Sequence, residues 1–319
     1  MMKILSELKG GSLSKTQIID RDGSLFVRKS ISAIKNREYG LVRWQSQVRK
    51  IQLLENILGD LVVPISNFGL DRDFYFYEMP YIYGGDNCAL ALERGESPKL
   101  MARQILQAID RLNMFKFKPV LGAMSIYIAE EIEGPLFRAK EILTSSSKSF
   151  SAAEFKFLFD KIDQSLALVN ELKLKYLSCA PPQTLTHGNL TLENMLWDFK
   201  QKRLVFIDPY SETYCENING DFSQLLQSSE SGYESIVREF DSCGIPDVAI
   251  YPSEKIPNIY IEFAKEIRVL ALERDWYDDE LARLFYGSQF TRMFPFKIER
   301  DIRQAYAFLV HGINLLSGC

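Results

Sequence analysis

The sequence has little of several things, and each shortage closes off a class of protein. Basic residues do not outnumber acidic ones: 38 Lys and Arg stand against 42 Asp and Glu, for a net charge of −4. No basic excess points to nucleic acid, so that partner class is set aside. No apolar run reaches the roughly 20 residues that a membrane-spanning helix needs. The opening stretch MMKILSELKGG alternates and breaks too soon to read as a signal peptide, so the expected setting is cytoplasmic. The five cysteines, Cys88, Cys179, Cys215, Cys243 and Cys319, are scattered, odd in number and without a CxxC pair. They read as reduced thiols, not as a disulfide frame or a zinc site. No internal repeat or low-complexity segment is present.

What is present is enough chain, 319 residues at 46% apolar, for two cores. Residues 2–30 read as three strands: Lys3–Leu8, Thr16–Ile19 and Ser24–Lys29. Asp20-Arg21-Asp22-Gly23 gives a hairpin turn between the last two. Between the first two lies Lys9-Gly10-Gly11-Ser12-Leu13-Ser14. A glycine pair there lets the backbone approach a ligand and aim N–H groups at phosphates; an ordinary glycine turn is the alternative. Lys29 closes the third strand, with Arg28 on the opposite face. Tyr39–Leu58 has helical spacing at Val42, Val48, Ile51, Leu54, Ile57 and Leu58. Val62–Ile65 and Asp73–Met79 read as two more strands. A link, Met79–Gly85, follows, punctuated by Pro80, Gly84 and Gly85.

From residue 86 the pattern is mostly helical. Pro98–Asn113 and Ala153–Leu177 carry apolar stripes that read as core faces. Between them Glu130, Glu131 and Glu133 form either a solvated face or a site for a cationic acceptor. Phe285, Tyr286, Phe290, Phe294 and Phe296 read as core, with a pocket wall as the alternative. Gly220–Ser228 opens a helix with Asp221 as its N-cap.

The chain is organised around residues 186–209, THGNLTLENMLWDFKQKRLVFIDP. Two strand-like runs, Gln183–Thr186 and Arg203–Ile207, are expected to pair as a hairpin. That brings Asn189, Asn194 and Asp208 to one end. Asn194 and Asp208 offer the hard oxygens that Mg2+ prefers and shares with substrate phosphates. His187 reads as a structural histidine that ties the loop to the core.

His187-Gly188, then Asn194 five residues after position 189, then Ile207-Asp208, resembles the catalytic and metal loops of the aminoglycoside phosphotransferase and choline kinase family. The resemblance implies an α+β, two-lobed protein-kinase-like fold. A small antiparallel N-lobe would span residues 1–83. A larger helical C-lobe, residues 84–319, would carry the hairpin and the acceptor pocket. The implied activity is transfer of the ATP γ-phosphate to a hydroxyl of a small acceptor, a sugar or an amino alcohol. By the same resemblance Gly10, Gly11, Ser12 and Lys29 hold phosphates. The backbone of Met79 and Tyr81 meets the adenine, Asn194 and Asp208 hold Mg2+, and residue 189 is the base. A lesser likeness, over Ser228, Gly232, Tyr233 and Glu234, is to kinase-like proteins of bacterial surface-polysaccharide synthesis, and inclines the acceptor toward a sugar. No oligomeric state is implied.

Two positions depart from the family pattern. Asn189 stands where the family has its Asp; an amide has the shape of a carboxylate but takes up no proton near neutral pH. Gln47 stands where a helix Glu would pair with the strand Lys; Glu38 and Glu55 are each about two turns away. The expectation is a kinase-fold chain with an impaired transfer step. The alternative is a nucleotide-binding pseudokinase that acts through a partner.

Overall fold

The computed structural model describes residues 2–8, 14–34, 37–211, 214–243 and 247–318. By compactness the chain divides into two units, residues 1–95 with 187–211, and residues 96–186 with 212–319.

In the first unit, β1 (Met2–Leu8), β2 (Ser14–Arg21), β3 (Ser24–Ser32), β4 (Asn67–Asp71) and β5 (Phe74–Pro80) form an antiparallel sheet in the order β1-β2-β3-β5-β4. The sequence expectation of five antiparallel strands with one helix holds. The β2–β3 turn is Asp22-Gly23, with φ of 52° and 86°. Two left-handed residues in a row are what a tight right-twisting hairpin requires. The fourth strand is displaced from its expected place at Val62–Ile65. Val62 makes a single parallel bridge to Phe206, and Pro64 has no N–H to give a ladder. Pairing with β5 starts only where the Ser66 N–H donates to the Glu78 carbonyl, 2.9 Å away.

Helix α1 (Arg37–Leu58) buries Val48, Ile51, Leu54 and Leu58. Each such burial stabilises by about 1.5–3 kcal/mol. The Trp44 indole N–H donates to the Phe76 carbonyl at 3.0 Å and its ring stacks on Tyr75 of β5. Val42, expected on the apolar stripe, is 64% exposed.

The remaining strands are β6 (Gly85–Asn87), β7 (Lys116–Phe117), β8 (Gln183–Thr184), β9 (Met195–Asp198) and β10 (Arg203–Phe206). They correct the expected hairpin. The run beginning at Gln183 pairs with β7, and β10 pairs with β9. The real hairpin is therefore β9–β10, with β6 on the outer edge of β9. Its turn at 199–202 is set by Asp198, whose carboxylate accepts from the Lys200 and Gln201 N–H groups.

The second unit is helical, as expected. Pro98–Asn113 starts on a Ser97 cap, and Ala152–Leu177 starts on a reciprocal Ser151–Glu154 capping box. The helix that follows the metal loop in sequence runs Ile218–Ser229, and its N-cap is Asn217, not Asp221. Asn217 accepts from the Asn219 N–H, and Asp221 lies buried within the first turn. Phe285, Tyr286, Phe290 and Phe294 are core, while Phe296 is exposed. The acidic stretch Ala129–Glu133 is a π-helical turn whose Glu133 pairs with Lys173. Among the described residues no helix is long and apolar enough to cross a membrane.

Candidate functional site

The site lies in the first unit, where the ends of β9–β10 meet β3 and α1. Asn194 immediately precedes β9 and Asp208 follows β10 by two residues, so antiparallel pairing puts both at one end. The Ile207 N–H donates to the Asn194 carbonyl at 3.0 Å, which ties the two segments together.

The loop from His187 to Asn194 is fixed by its backbone. Gly188 has a φ of 77°, and a Cβ there would lie 2.0 Å from the Tyr210 carbonyl oxygen. The Tyr210 N–H donates back to the His187 carbonyl at 2.9 Å. Only glycine tolerates both the conformation and the approach. Asp208 also has a left-handed backbone, φ 54°. Non-glycine residues adopt that conformation rarely, Asp more readily than most. Such positions concentrate at functional sites.

The side chains converge on Asp208. The Lys29 ammonium forms a short ion pair with its Oδ1, and Gln47 Nε2 donates to the same oxygen at 2.8 Å. Asn189 Nδ2 donates to the Asp208 carbonyl at 3.1 Å. Asn194 Nδ2 donates to the Asn189 carbonyl and to Thr191 Oγ1, both at 3.0 Å. Arg28 points away from this group, as strand alternation requires, and pairs with Glu78 and Asp71.

Tyr77 sits directly across the sheet from Lys29. Its hydroxyl is buried with no hydrogen-bond partner among the described residues. Burial first, and then the Asp208 charge, raises its pKa well above the ordinary phenol value, so it remains a neutral donor. A buried donor without a partner is uncommon and invites a ligand explanation. His187 is buried with its ring beside Phe206. Burial lowers its pKa to about 4, with Lys50 pushing the same way and Asp208 opposing. It is neutral at pH 7, in keeping with a structural role.

The other residues singled out in the sequence fall as follows. Gly10, Gly11 and Ser12 lie outside the described residues. Met79 is buried in β5 opposite Val27. The Tyr81 N–H donates to the Leu25 carbonyl at 3.1 Å, so that backbone donor is already engaged. Sequence reasoning missed Thr191, Tyr77, Arg43 and Lys50. Arg43 lies over the Tyr210 ring, 5.4 Å from its centroid, and Lys50 is buried. Spacing held the signal for two of these, since positions 43, 47 and 50 share one face of α1.

For a magnesium ion the donor set is right in kind: a carboxylate on Asp208 and an amide oxygen on Asn194. It is thin in charge, because that carboxylate is already paired with Lys29. Among the described residues no group of three or more His, Cys, Asp or Glu is arranged for a metal.

No family model matches the chain, and no curated protein matches it in sequence. Solved structures do match in fold. A candidate fructosamine-3-kinase from Haemophilus somnus 129PT superposes with a TM-score of 0.53 at 14% identity, over 99% of this chain and 92% of that one. Spectinomycin phosphotransferase, solved with ADP and spectinomycin, gives 0.56 at 11% identity, over 99% and 92%. An aminoglycoside phosphotransferase, APH(4)-Ia, gives 0.55 at 10% identity, over 100% and 93%. At these identities the likeness establishes the fold: an antiparallel sheet with one helix and a larger helical part, as the sequence resemblance implied.

Proposed function

We propose that the chain is a kinase-like phosphotransferase that moves the γ-phosphate of ATP to a hydroxyl of a small acceptor, with the transfer step impaired by Asn189. The observation that carries this reading is the convergence of Lys29, Gln47 and Asn189 on Asp208 at one end of the β9–β10 hairpin, with Asn194 held against the Asn189 carbonyl. The fold shared with small-molecule phosphotransferases supports it, although fold alone does not fix function.

In this reading Lys29 and the Gly10–Ser12 segment hold phosphates, and the Met79–Tyr81 backbone meets the base. Asn194 and Asp208 are the residues that would hold Mg2+, whose chemistry is to neutralise charge developing on the transferred phosphoryl group. Asn189 stands where a base would accept the acceptor's proton. Its amide can hold that hydroxyl in place but cannot take the proton. Residues 1–83 are assigned to gripping the nucleotide, residues 84–319 to the hairpin and the acceptor. A sugar is the favoured acceptor class, an amino alcohol the other, and the cytoplasm the expected setting.

The test is Asn189→Asp, assayed by ADP release over a panel of sugars and amino alcohols. A positioned general base is worth about 10²–10⁴ in rate, so turnover should rise by at least about two orders of magnitude. Equal rates would remove position 189 from the mechanism. A second reading, a pseudokinase that binds nucleotide and works through a partner, is favoured by the two amides at Gln47 and Asn189. It predicts tight ATP binding by Asn189→Asp with no turnover on any acceptor.

A further inference from the structure

The second unit carries an apolar surface far from what its fold needs. Residues 114–121 read Met-Phe-Lys-Phe-Lys-Pro-Val-Leu, and every one of them is exposed. Met114, Phe115, Phe117, Val120 and Leu121 are 43–79% exposed. The stretch is nonetheless held in place. The Leu185 N–H donates to the Phe115 carbonyl at 3.0 Å, β7 pairs with β8, and the Gly122 N–H donates to the Cys179 carbonyl at 3.3 Å. Those bonds lay it beside the end of the helix Ala152–Leu177, from which Leu174 and Leu177 are also exposed. Ile126 adds to the same surface from the helix Ala123–Ile128, which follows Gly122. Single exposed apolar side chains need no explanation, but contiguous patches beyond a few hundred Å² mark interaction surfaces.

The charge on this surface has one sign. Residues 111–129 and 172–186 contain no Asp or Glu, and they contain Lys116, Lys118, Lys173 and Lys175. Lys173 and Lys175 are paired with Glu133 and Glu280. Lys116 donates only to the neutral Asn113 side chain at 2.8 Å, and Lys118 has no partner among the described residues. A second copy meeting this surface about a two-fold axis would set the same loop against itself, lysines against lysines. An anionic bilayer takes both parts of the pattern. Its headgroup and acyl boundary receives Phe, Val and Leu, while lysine stems reach back to the headgroups. We propose that this end of the second unit is a membrane-docking surface for anionic lipid, with Phe115, Phe117, Val120 and Leu121 at the acyl boundary and Lys116 and Lys118 on the headgroups. The contact is peripheral, since among the described residues no helix is long and apolar enough to cross a membrane. The inference does not depend on the nucleotide reading, and its failure leaves that reading standing.

The experiment is co-sedimentation of the full chain, without nucleotide, with phosphatidylcholine vesicles made with and without phosphatidylserine. Phosphatidylserine should strengthen binding by at least about tenfold, because each lysine at an anionic surface is worth roughly fivefold. Raising the salt should weaken it. Changing Lys116→Gln together with Lys118→Gln should remove the preference for phosphatidylserine. Changing Phe117→Ser together with Leu121→Ser should lower binding to the anionic vesicles by at least about tenfold. These side chains are exposed, so thermal melting should match the parent chain. Phe296→Ser is the control for general stickiness, because Phe296 is exposed but lies in neither segment, and it should bind as the parent does. Absence of binding to either vesicle overturns the inference and leaves a protein partner as the reading of this surface. Equal binding to both vesicles, or an equal loss with Phe296→Ser, overturns it as well. A parent chain that is a dimer by light scattering, and a monomer once Phe117 and Leu121 are serine, assigns the surface to a second copy and overturns it too.

Discussion

Two polar clusters, one in each unit, are built from similar residue types and differ in how fully their buried groups are satisfied. In the second unit Ser231 Oγ bonds Tyr286 at 2.5 Å and His311 Nε2 at 2.7 Å, and the Tyr251 hydroxyl donates to the Ser231 carbonyl at 2.7 Å. The His311 ring stacks on Tyr251 at 3.8 Å and meets Phe290 edge-on. This is a closed network of mostly neutral groups set in aromatic core, and such networks rigidify a fold. The cluster around Asp208 has a Tyr77 hydroxyl with no partner among the described residues and left-handed backbone at a non-glycine residue, Asp208. Polar burial alone does not mark a site. A donor kept without a partner and a backbone held in a costly conformation do, because folding gains nothing from either.

The sharpest way to break this comparison uses one glycine from each cluster. Gly188 adjoins His187 and Asn189, and Gly232 adjoins Ser231; both have positive φ, 77° and 53°. A Cβ at 188 would sit 2.0 Å from the backbone carbonyl oxygen of Tyr210, a residue tied to the loop by its N–H bond to the His187 carbonyl. A Cβ at 232 would meet only Ile256 side-chain carbons, at 2.9 Å. Gly188→Ala should therefore lose about 4 kcal/mol or more, in the range that signals a backbone clash. Gly232→Ala should lose about 1–3 kcal/mol, as overpacking against a movable side chain does. Urea unfolding of both variants measures the difference. Equal losses would show that the Tyr210 backbone relaxes as readily as a side chain, and the argument for a strained, rigid site would fail.

The next largest effect separates satisfied from unsatisfied hydroxyls. Ser231→Ala leaves Tyr286 and His311 without the oxygen they share, so stability should fall by about 1–3 kcal/mol. ATP affinity should not change. Tyr77→Phe removes a hydroxyl that has no partner to lose among the described residues. Stability should hold or rise by up to about 1 kcal/mol, since an unpaired buried hydroxyl is itself unfavourable. ATP affinity should drop, by titration calorimetry. If Tyr77→Phe destabilises as Ser231→Ala does, then Tyr77 is an ordinary structural residue and the contrast between the clusters disappears.

Much of the fold was legible in the sequence because local signals and tertiary packing agree there. Asp22-Gly23 dictates its turn, and the stripe of Pro98–Asn113 is the face that is buried. Sequence misled where a local pattern had two partners to choose from. Gln183–Thr184 has the composition of a hairpin strand, yet pairs with Lys116–Phe117, some 70 residues earlier. Val62–Ile65 has strand composition, yet Pro64 leaves it a single bridge. Asp221 satisfies the N-cap rule by type, but Asn217 is where the backbone turns. Within the site, residue identity exposed Lys29, Asn189, Asn194 and Asp208. It did not expose Tyr77 or Lys50, whose meaning comes from what is missing around a hydroxyl and from which helix face turns inward. Neither is a property of sequence spacing alone.

The smallest expected effect concerns pH and uses the one histidine each cluster holds. Burial lowers the pKa of both His187 and His311 to about 4, against 6.5 for an ordinary histidine. Each is neutral in the folded chain while the unfolded chain begins to protonate it. The contribution to stability is therefore complete above pH 6.5 and is lost as pH falls through about 4. Across that window each histidine steepens the decline by at most about 1.4 kcal/mol per pH unit. Carboxylates contribute to the same decline, so the measurement that isolates the histidine is a difference in slope. His311→Gln keeps an amide facing Ser231 and removes the titration. Its urea midpoint stability, followed from pH 7 to 4.5, should fall less steeply than that of the parent chain by up to one proton's worth. The absolute stability of the variant is irrelevant to this comparison; only the slope counts. Parallel curves would mean that His311 protonates as easily folded as unfolded. The network around Ser231 would then be open to water, and the closed cluster would have to be reclassified with the unsatisfied one.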